Sequence, residues 1–168
     1  MTQPAASPVR PVPEGFHTVT PHLTILDGKA GAALDFYARA FGATELSRLP
    51  GQDGRLWNAQ IRIGDSMVMV VDHFPDYGSP AVAQGPWPTT IHLFVPDVDA
   101  AFAQAVAAGA RPEMPPADMF WGDRYGMLTD PFGHRWSIAT RKQDLTPQQV
   151  EEAARNMPMQ NNCEGAQQ

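Results

Sequence analysis

One cysteine in 168 residues, Cys163, sets the first limit: an internal disulfide is impossible and a four-cysteine metal centre is excluded. It lies in the polar segment MPMQNNCEGAQQ and reads as a free thiol in a tail. Basic residues are scarce too, 12 Lys and Arg against 18 Asp and Glu, for a formal net charge of -6. They are scattered rather than clustered, which argues against nucleic acid and against an anionic membrane surface as partners. No apolar run approaches the roughly 18 residues of a membrane span, and the first residues lack the apolar core of a signal peptide. These absences leave a globular protein, expected in the cytoplasm, whose partners are small molecules or proteins. What the chain has is 43% hydrophobic residues, enough for one core in a single domain or in two small modules that share it.

Residues 1–15 carry Pro4, Pro8, Pro11 and Pro13 and read as an extended arm. Thr18 to Ile25 alternates and predicts the first strand, with Val19, Leu23 and Ile25 on one face and Thr20, His22 and Thr24 on the other. Asp27-Gly28 breaks it, and Ala30, Leu34, Tyr37 and Phe41 then recur at helical spacing up to a stop at Gly42. A short strand over Thr44 to Leu49 leads through the turn at Gly51 to Gly54 into Leu56 to Ile63. In that run Trp57, Ala59, Ile61 and Ile63 form an apolar face and Asn58, Gln60 and Arg62 a polar one. Gly64-Asp65 turns it into Met67 to Val71, a hairpin. Residues 74–88 are a Pro- and Gly-rich linker of a length that usually signals function or a joint.

The opening phrase then returns. TTIHLFV at Thr89 to Val95 repeats the alternation around His22, and Asp97 caps a helix with Val98, Phe102, Ala105 and Val106 at core spacing and Gly109 as its stop. Arg111 to Met119 is Pro-rich and ambiguous, and FWGDRYG at Phe120 to Gly126 reads as a loop before a strand over Met127 to Asp130. Asp130, Pro131 and Gly133 make a tight turn. Beyond it His134, Trp136 and Ile138 share an apolar face, while Arg135, Ser137 and Ala139 share the other. The offsets barely drift: 92 − 22 = 70 for the histidines, 109 − 42 = 67 and 133 − 64 = 69 for the glycines. The predicted fold is therefore α+β, two βαβββ modules over residues 16–73 and 89–141, side by side as one curved sheet with helices outside. Thr146-Pro147-Gln148-Gln149 is a capping box opening a short amphipathic helix over residues 144–157, ahead of a tail at 158–168.

The phrases HTVTPHL, DFYARAFGA, IRIGDSMVM, FWGDRYG and DPFGHRWSIATRKQDLTP resemble the vicinal oxygen chelate superfamily of glyoxalases, bleomycin resistance proteins and dioxygenases, and within it the PhnB-like branch. The resemblance implies a U-shaped cup built from paired modules, often completed in a homodimer. Metal-dependent members place one ligand on each of four cup strands. His22 and His92 stand at two of those positions, whereas the carboxylate positions, counted four residues past the turn glycines, fall on Val68 and Ser137. Valine cannot ligate and a neutral serine hydroxyl is a poor ligand. No tightly bound metal cofactor is expected, only weak binding of a divalent ion at His22 and His92.

Projected from the alternation, the cup is lined by His22, Thr24, Asn58, Gln60, Val68, His92, Phe94, Arg135 and Ser137, a mixed pocket suited to orienting a small molecule. Trp121 and Trp87 are candidate stacking walls, Trp57 and Trp136 core residues, and Asp123 with Arg124 a candidate lid. Three functions fit. The first is sequestration of a hydrophobic or aromatic metabolite or antibiotic, as in bleomycin resistance. The second is metal-free proton transfer, with His22 or His92 as base and Arg135 at an oxyanion. The third is a metal-dependent lyase, isomerase or dioxygenase in which Asp72 or Asp123 replaces the missing carboxylates, a replacement that no spacing supports.

Overall fold

A computed structural model of the chain describes residues 11–77 and 88–156. Trp87, Cys163, most of the expected arm and linker and all of the expected tail lie outside them. The elements run β1 (His22–Ile25), α1 (Ala30–Phe41), β2 (Thr44–Pro50), β3 (Leu56–Ile63), β4 (Ser66–Asp72), β5 (Thr90–Phe94), α2 (Val98–Ala108), β6 (Arg111–Asp118), β7 (Asp123–Thr129), β8 (Arg135–Arg141) and α3 (Pro147–Arg155), with one 3-10 turn at Pro75–Tyr77. The βαβββ order thus occurs twice. No helix among the described residues is long and apolar enough to cross a membrane.

Each module closes its own mixed sheet of four strands, in the orders β1-β4-β3-β2 and β5-β8-β7-β6, and among the described residues no strand of one pairs with a strand of the other. β1 lies parallel to β4, and β5 to β8, as a strand must when a crossover helix returns the chain to the same sheet. The glycine stops form as the pattern predicts: Gly42 and Gly109 end the helices at φ 65° and 119°, where a side chain would be strained. Thr146 and Gln149 form the reciprocal cap on α3.

What joins the modules is side chains. α1 and α2 lie against each other, and the Gln104 amide on α2 donates to the terminal carbonyls of α1 at Arg39 (2.7 Å) and Ala40 (3.3 Å). Rings on α1 reach into the second module: Phe41 packs on Trp136 (4.5 Å between centroids), and Tyr37 on Trp136 (5.6 Å). Asp130 fixes that contact. Buried at 4% exposure, its carboxylate accepts from the Tyr37 hydroxyl (2.9 Å), the Trp136 indole N–H (3.0 Å) and the backbone N–H groups of Phe132 and His134. A buried carboxylate with four donors has its charge dispersed rather than stranded. The result is one continuous apolar core through both modules.

Four local expectations are corrected. The first strand begins at His22, not Thr18: Pro21 has no N–H to give a ladder, and Val19 is 85% exposed. Trp57 is not core. The β2–β3 pairing jumps from Leu49↔Asn58 to Pro50↔Leu56, a bulge that turns Leu56 inward and swings Trp57 out to stack on Phe74 at 4.1 Å. The Pro-rich Arg111–Asp118 is an edge strand, where missing N–H groups cost least. FWGDRYG is half strand, since β7 starts at Asp123.

Candidate functional site

Helices cover one face of each sheet, and the other face is open. The parallel pairings put His22 beside Met69 and His92 beside Ser137, while β3 sets Gln60 beside Met69 and β7 sets Met127 beside Ser137. The two modules therefore present the rows His22, Met69, Gln60 and His92, Ser137, Met127. Met69, not Val68, is the counterpart of Ser137. Val68 pairs with Ile61 and is buried in the core, 3% exposed. Counting from the glycines misleads because Gly64 opens a two-residue turn, Ile63 pairing with Ser66, whereas Gly133 stands fourth of the five residues between Thr129 and Arg135.

On the second module the open face is a connected cluster. His92 Nδ1 lies 2.7 Å from the Ser137 hydroxyl. The imidazole stacks on Tyr125 (6.0 Å) and meets the edge of Phe94 (4.5 Å), and Tyr125 meets Trp121 edge-on (5.6 Å). Trp121 is held by its indole N–H, which donates to Asp123 (3.1 Å). Asp123, 5% exposed, also takes the Arg141 Nε, and the Arg141 guanidinium sits 6.0 Å over Phe94. Burial lowers the His92 pKa from its ordinary value, and Asp123 pulls the other way. His92 is thus mainly neutral at pH 7, with Nε2 free to accept or donate.

Gly122 anchors the tryptophan. It adopts φ 94°, its carbonyl accepts from Lys142 and Gln143, and a Cβ there would come within 2.6 Å of the Gln143 carbonyl oxygen. Arg135 shares the face, two residues before Ser137. Its Nε and Nη2 both reach one Glu113 oxygen, at 3.1 and 3.0 Å, and the other Glu113 oxygen takes Thr129 and Arg111.

The remaining sequence candidates divide. Asn58 and Gln60 stand on the first module's open face with His22, whose pKa burial also lowers. Arg124 turns to the helix side, paired with Asp99 of α2 and with Asp118. With Asp123 buried under Arg141 and both residues inside β7, the lid expectation fails: a paired strand is not a hinged loop. Tyr125, Met127, Arg141, Glu113 and Met69 were missed. Tyr125 and Met127 carry a readable signal, the same alternation as Asp123, hidden by reading FWGDRYG as a loop.

β1 and β5 are each the end strand of a sheet. A cleft of about 990 Å3 runs beside β5, lined by Ile91, His92, Leu93, Phe94, Val95 and Phe41 among others. His22 lines a separate pocket of about 180 Å3 with Thr89, Ile91 and His134. The two histidines are not brought to one cavity. No group of three His, Cys, Asp or Glu able to hold a metal exists among the described residues. The sheet neighbour of each histidine is Met69 or Ser137, neither a ligand for a hard divalent ion, and Asp123, whose charge His92 feels, is committed to Arg141 and Trp121. The donors among the described residues of one chain do not fit a resident metal.

A family model described as Glyoxalase/Bleomycin resistance protein/Dioxygenase superfamily matches residues 20–138. An uncharacterized protein of Mycobacterium tuberculosis H37Rv, Rv0887c, is 42% identical over 139 residues, covering 80% of this chain and 81% of its own. Among solved structures, TioX from Micromonospora sp. ML1 is 28% identical with TM-score 0.57, over 73% of this chain and 98% of its own. A PhnB protein from Bacillus cereus, 19% identical with TM-score 0.59, over 74% of this chain and 99% of its own, shares the fold.

Proposed function

The chain belongs to the glyoxalase/bleomycin resistance protein/dioxygenase superfamily, and from that premise we propose that it binds a small hydrophobic or aromatic molecule on the open face of its second module, without a tightly bound metal. One observation carries the reading: Phe94, His92, Tyr125 and Trp121 form an unbroken series of ring contacts on the face that holds Ser137 and Met127. Aromatic walls with a few placed polar groups are what orient a flat ligand. Sequestration requires nothing more. The metal-dependent alternative, a lyase, isomerase or dioxygenase using His22 and His92, lacks both carboxylates. The single cysteine fits a cytoplasmic location.

Proton transfer is the second reading, and the His92–Ser137 contact favours it. Serine can accept from Nδ1–H, leaving Nε2 bare as a base, and the same bond persists once Nε2 is protonated. Arg135, on the same face, could then steady an oxyanion. A second copy of the chain is the expected partner, its edge strand covering β5, because the cleft and the 62% exposed Phe94 leave apolar surface uncovered.

Metal analysis of protein purified without chelator, followed by titration with Zn, Mn, Ni and Fe, tests the metal-free reading. A stoichiometric tight site would overturn it. Tryptophan quenching across a panel of aromatic ligands tests the cup. Trp121→Leu is expected to weaken binding by about tenfold, in line with the stacking contribution of one aromatic wall; unchanged isotherms would remove Trp121 from the site.

A further inference from the structure

Four rows cross the second module's open face. From one end they are Thr90, Arg135, Thr129 and Arg111; then His92, Ser137 and Met127; then Phe94, Ala139, Tyr125 and Ala117; then Arg141 and Asp123. The ends differ in charge. At the first, Arg111 and Arg135 share one carboxylate, Glu113, which leaves a surplus cation. At the last, Arg141 is shared by two carboxylates, Asp123 and Asp144, which leaves a surplus anion. The rings lie between His92 and that anionic end.

We propose that the molecule held here is an aromatic compound carrying a carboxylate or similar anionic group, its rings on Tyr125, Phe94 and Trp121 and its anion on Arg135. The assignment rests on the binding role given to this face above and adds the ligand's class and direction. Because Nε and Nη2 of Arg135 both converge on a single Glu113 oxygen, the Nη1 edge of the guanidinium remains for an incoming carboxylate. Both bonds of the pair lie at the surface, where a ligand can reach the guanidinium. An anion laid at the opposite end would meet the surplus charge of Asp123 and Asp144. Arg135 and Ala139 are four residues apart along β8, about 13 Å of strand. With the reach of the arginine side chain, the ring and the acid are separated by a short spacer rather than fused.

The probes are 4-(2-naphthyl)butyrate and its uncharged twin, 4-(2-naphthyl)butyramide, titrated calorimetrically against the full chain. The acid is expected to bind about tenfold or more tightly than the amide, the difference made by one charge-assisted contact, and its advantage should shrink as salt rises. Arg135→Gln is expected to erase the difference by weakening the acid alone. Glu113→Gln should move the other way, strengthening the acid severalfold by releasing Arg135, a change that simple damage to the site would not give. Equal binding of acid and amide by the wild type overturns the anion assignment while leaving the aromatic cup standing. Binding of neither overturns both. A loss in Arg135→Gln that is equal for the two compounds overturns the assignment as well.

Discussion

At Asp130 four donors from two modules end on one buried carboxylate. Its turn was legible in the phrase DPFG. Its bond to Tyr37, 93 residues away in the chain, was not, since no spacing encodes a tertiary contact. Asp130→Ala strands the Tyr37 hydroxyl, the Trp136 indole and two amides, and is expected to cost about 3 to 4 kcal/mol; Tyr37→Phe, leaving the carboxylate its other donors, about 1 kcal/mol. Urea titration of the three proteins checks the order. Burial first, and Asp130 next, push the Tyr37 pKa well above 10 in the folded state. An unfolded tyrosine ionises near 10, so above that pH the unfolded chain binds fewer protons than the folded one, and stability falls as pH rises. Tyr37→Phe should flatten that alkaline decline. His92 has the opposite sign. Its folded pKa is lowered, so below about 6.5 the unfolded chain takes up the proton more readily and stability is lost as pH falls. His92→Gln should reduce that acid limb.

Each crossover helix is tied at its start by the end of a neighbouring strand. The Ala30 N–H reaches Asp72 (2.9 Å) and the Val98 N–H reaches Thr140 (2.8 Å), and both donors and both acceptors are 68 residues apart, since 98 − 30 = 140 − 72 = 68. The histidine offset, 70, is larger because the first module takes two more residues from its histidine to its helix, 30 − 22 = 8 against 98 − 92 = 6, in a stretch where Asp27 and Gly28 both take positive φ. Helices and strands with plain periodicity were readable for this reason: caps, stops and alternation are local. The bulge at Trp57 and the Pro-rich β6 were not, because both depend on the neighbouring strand. The cup residues followed the same rule, with Ser137 and His92 placed by their alternation and Val68 misplaced by a turn of different length. Asp72 reads as a spare carboxylate in the sequence, whereas in the fold it takes the Ala30 N–H at the start of α1. Thr140→Val keeps the shape and removes both the bond to Val98 and the one to the Val95 carbonyl. About 1 kcal/mol is expected to be lost, typical of a missing helix cap, with faster amide exchange confined to the first turn of α2.

Over the described molecule, two sheets that pair no strand with one another still share one core. Thermal unfolding is therefore expected as one cooperative transition, with calorimetric and van't Hoff enthalpies in agreement. Phe41→Ala, which empties the contact with Trp136, should shift that transition intact; two separated transitions would mean that the modules unfold independently. Among the described residues the joint consists of rings, Gln104 and Asp130 rather than a strand ladder. The protein is consequently a natural split reporter. Residues 1–77 and 88–168, made as two polypeptides, would each leave half an aromatic interface bare, and would regain the native tryptophan environment only on meeting.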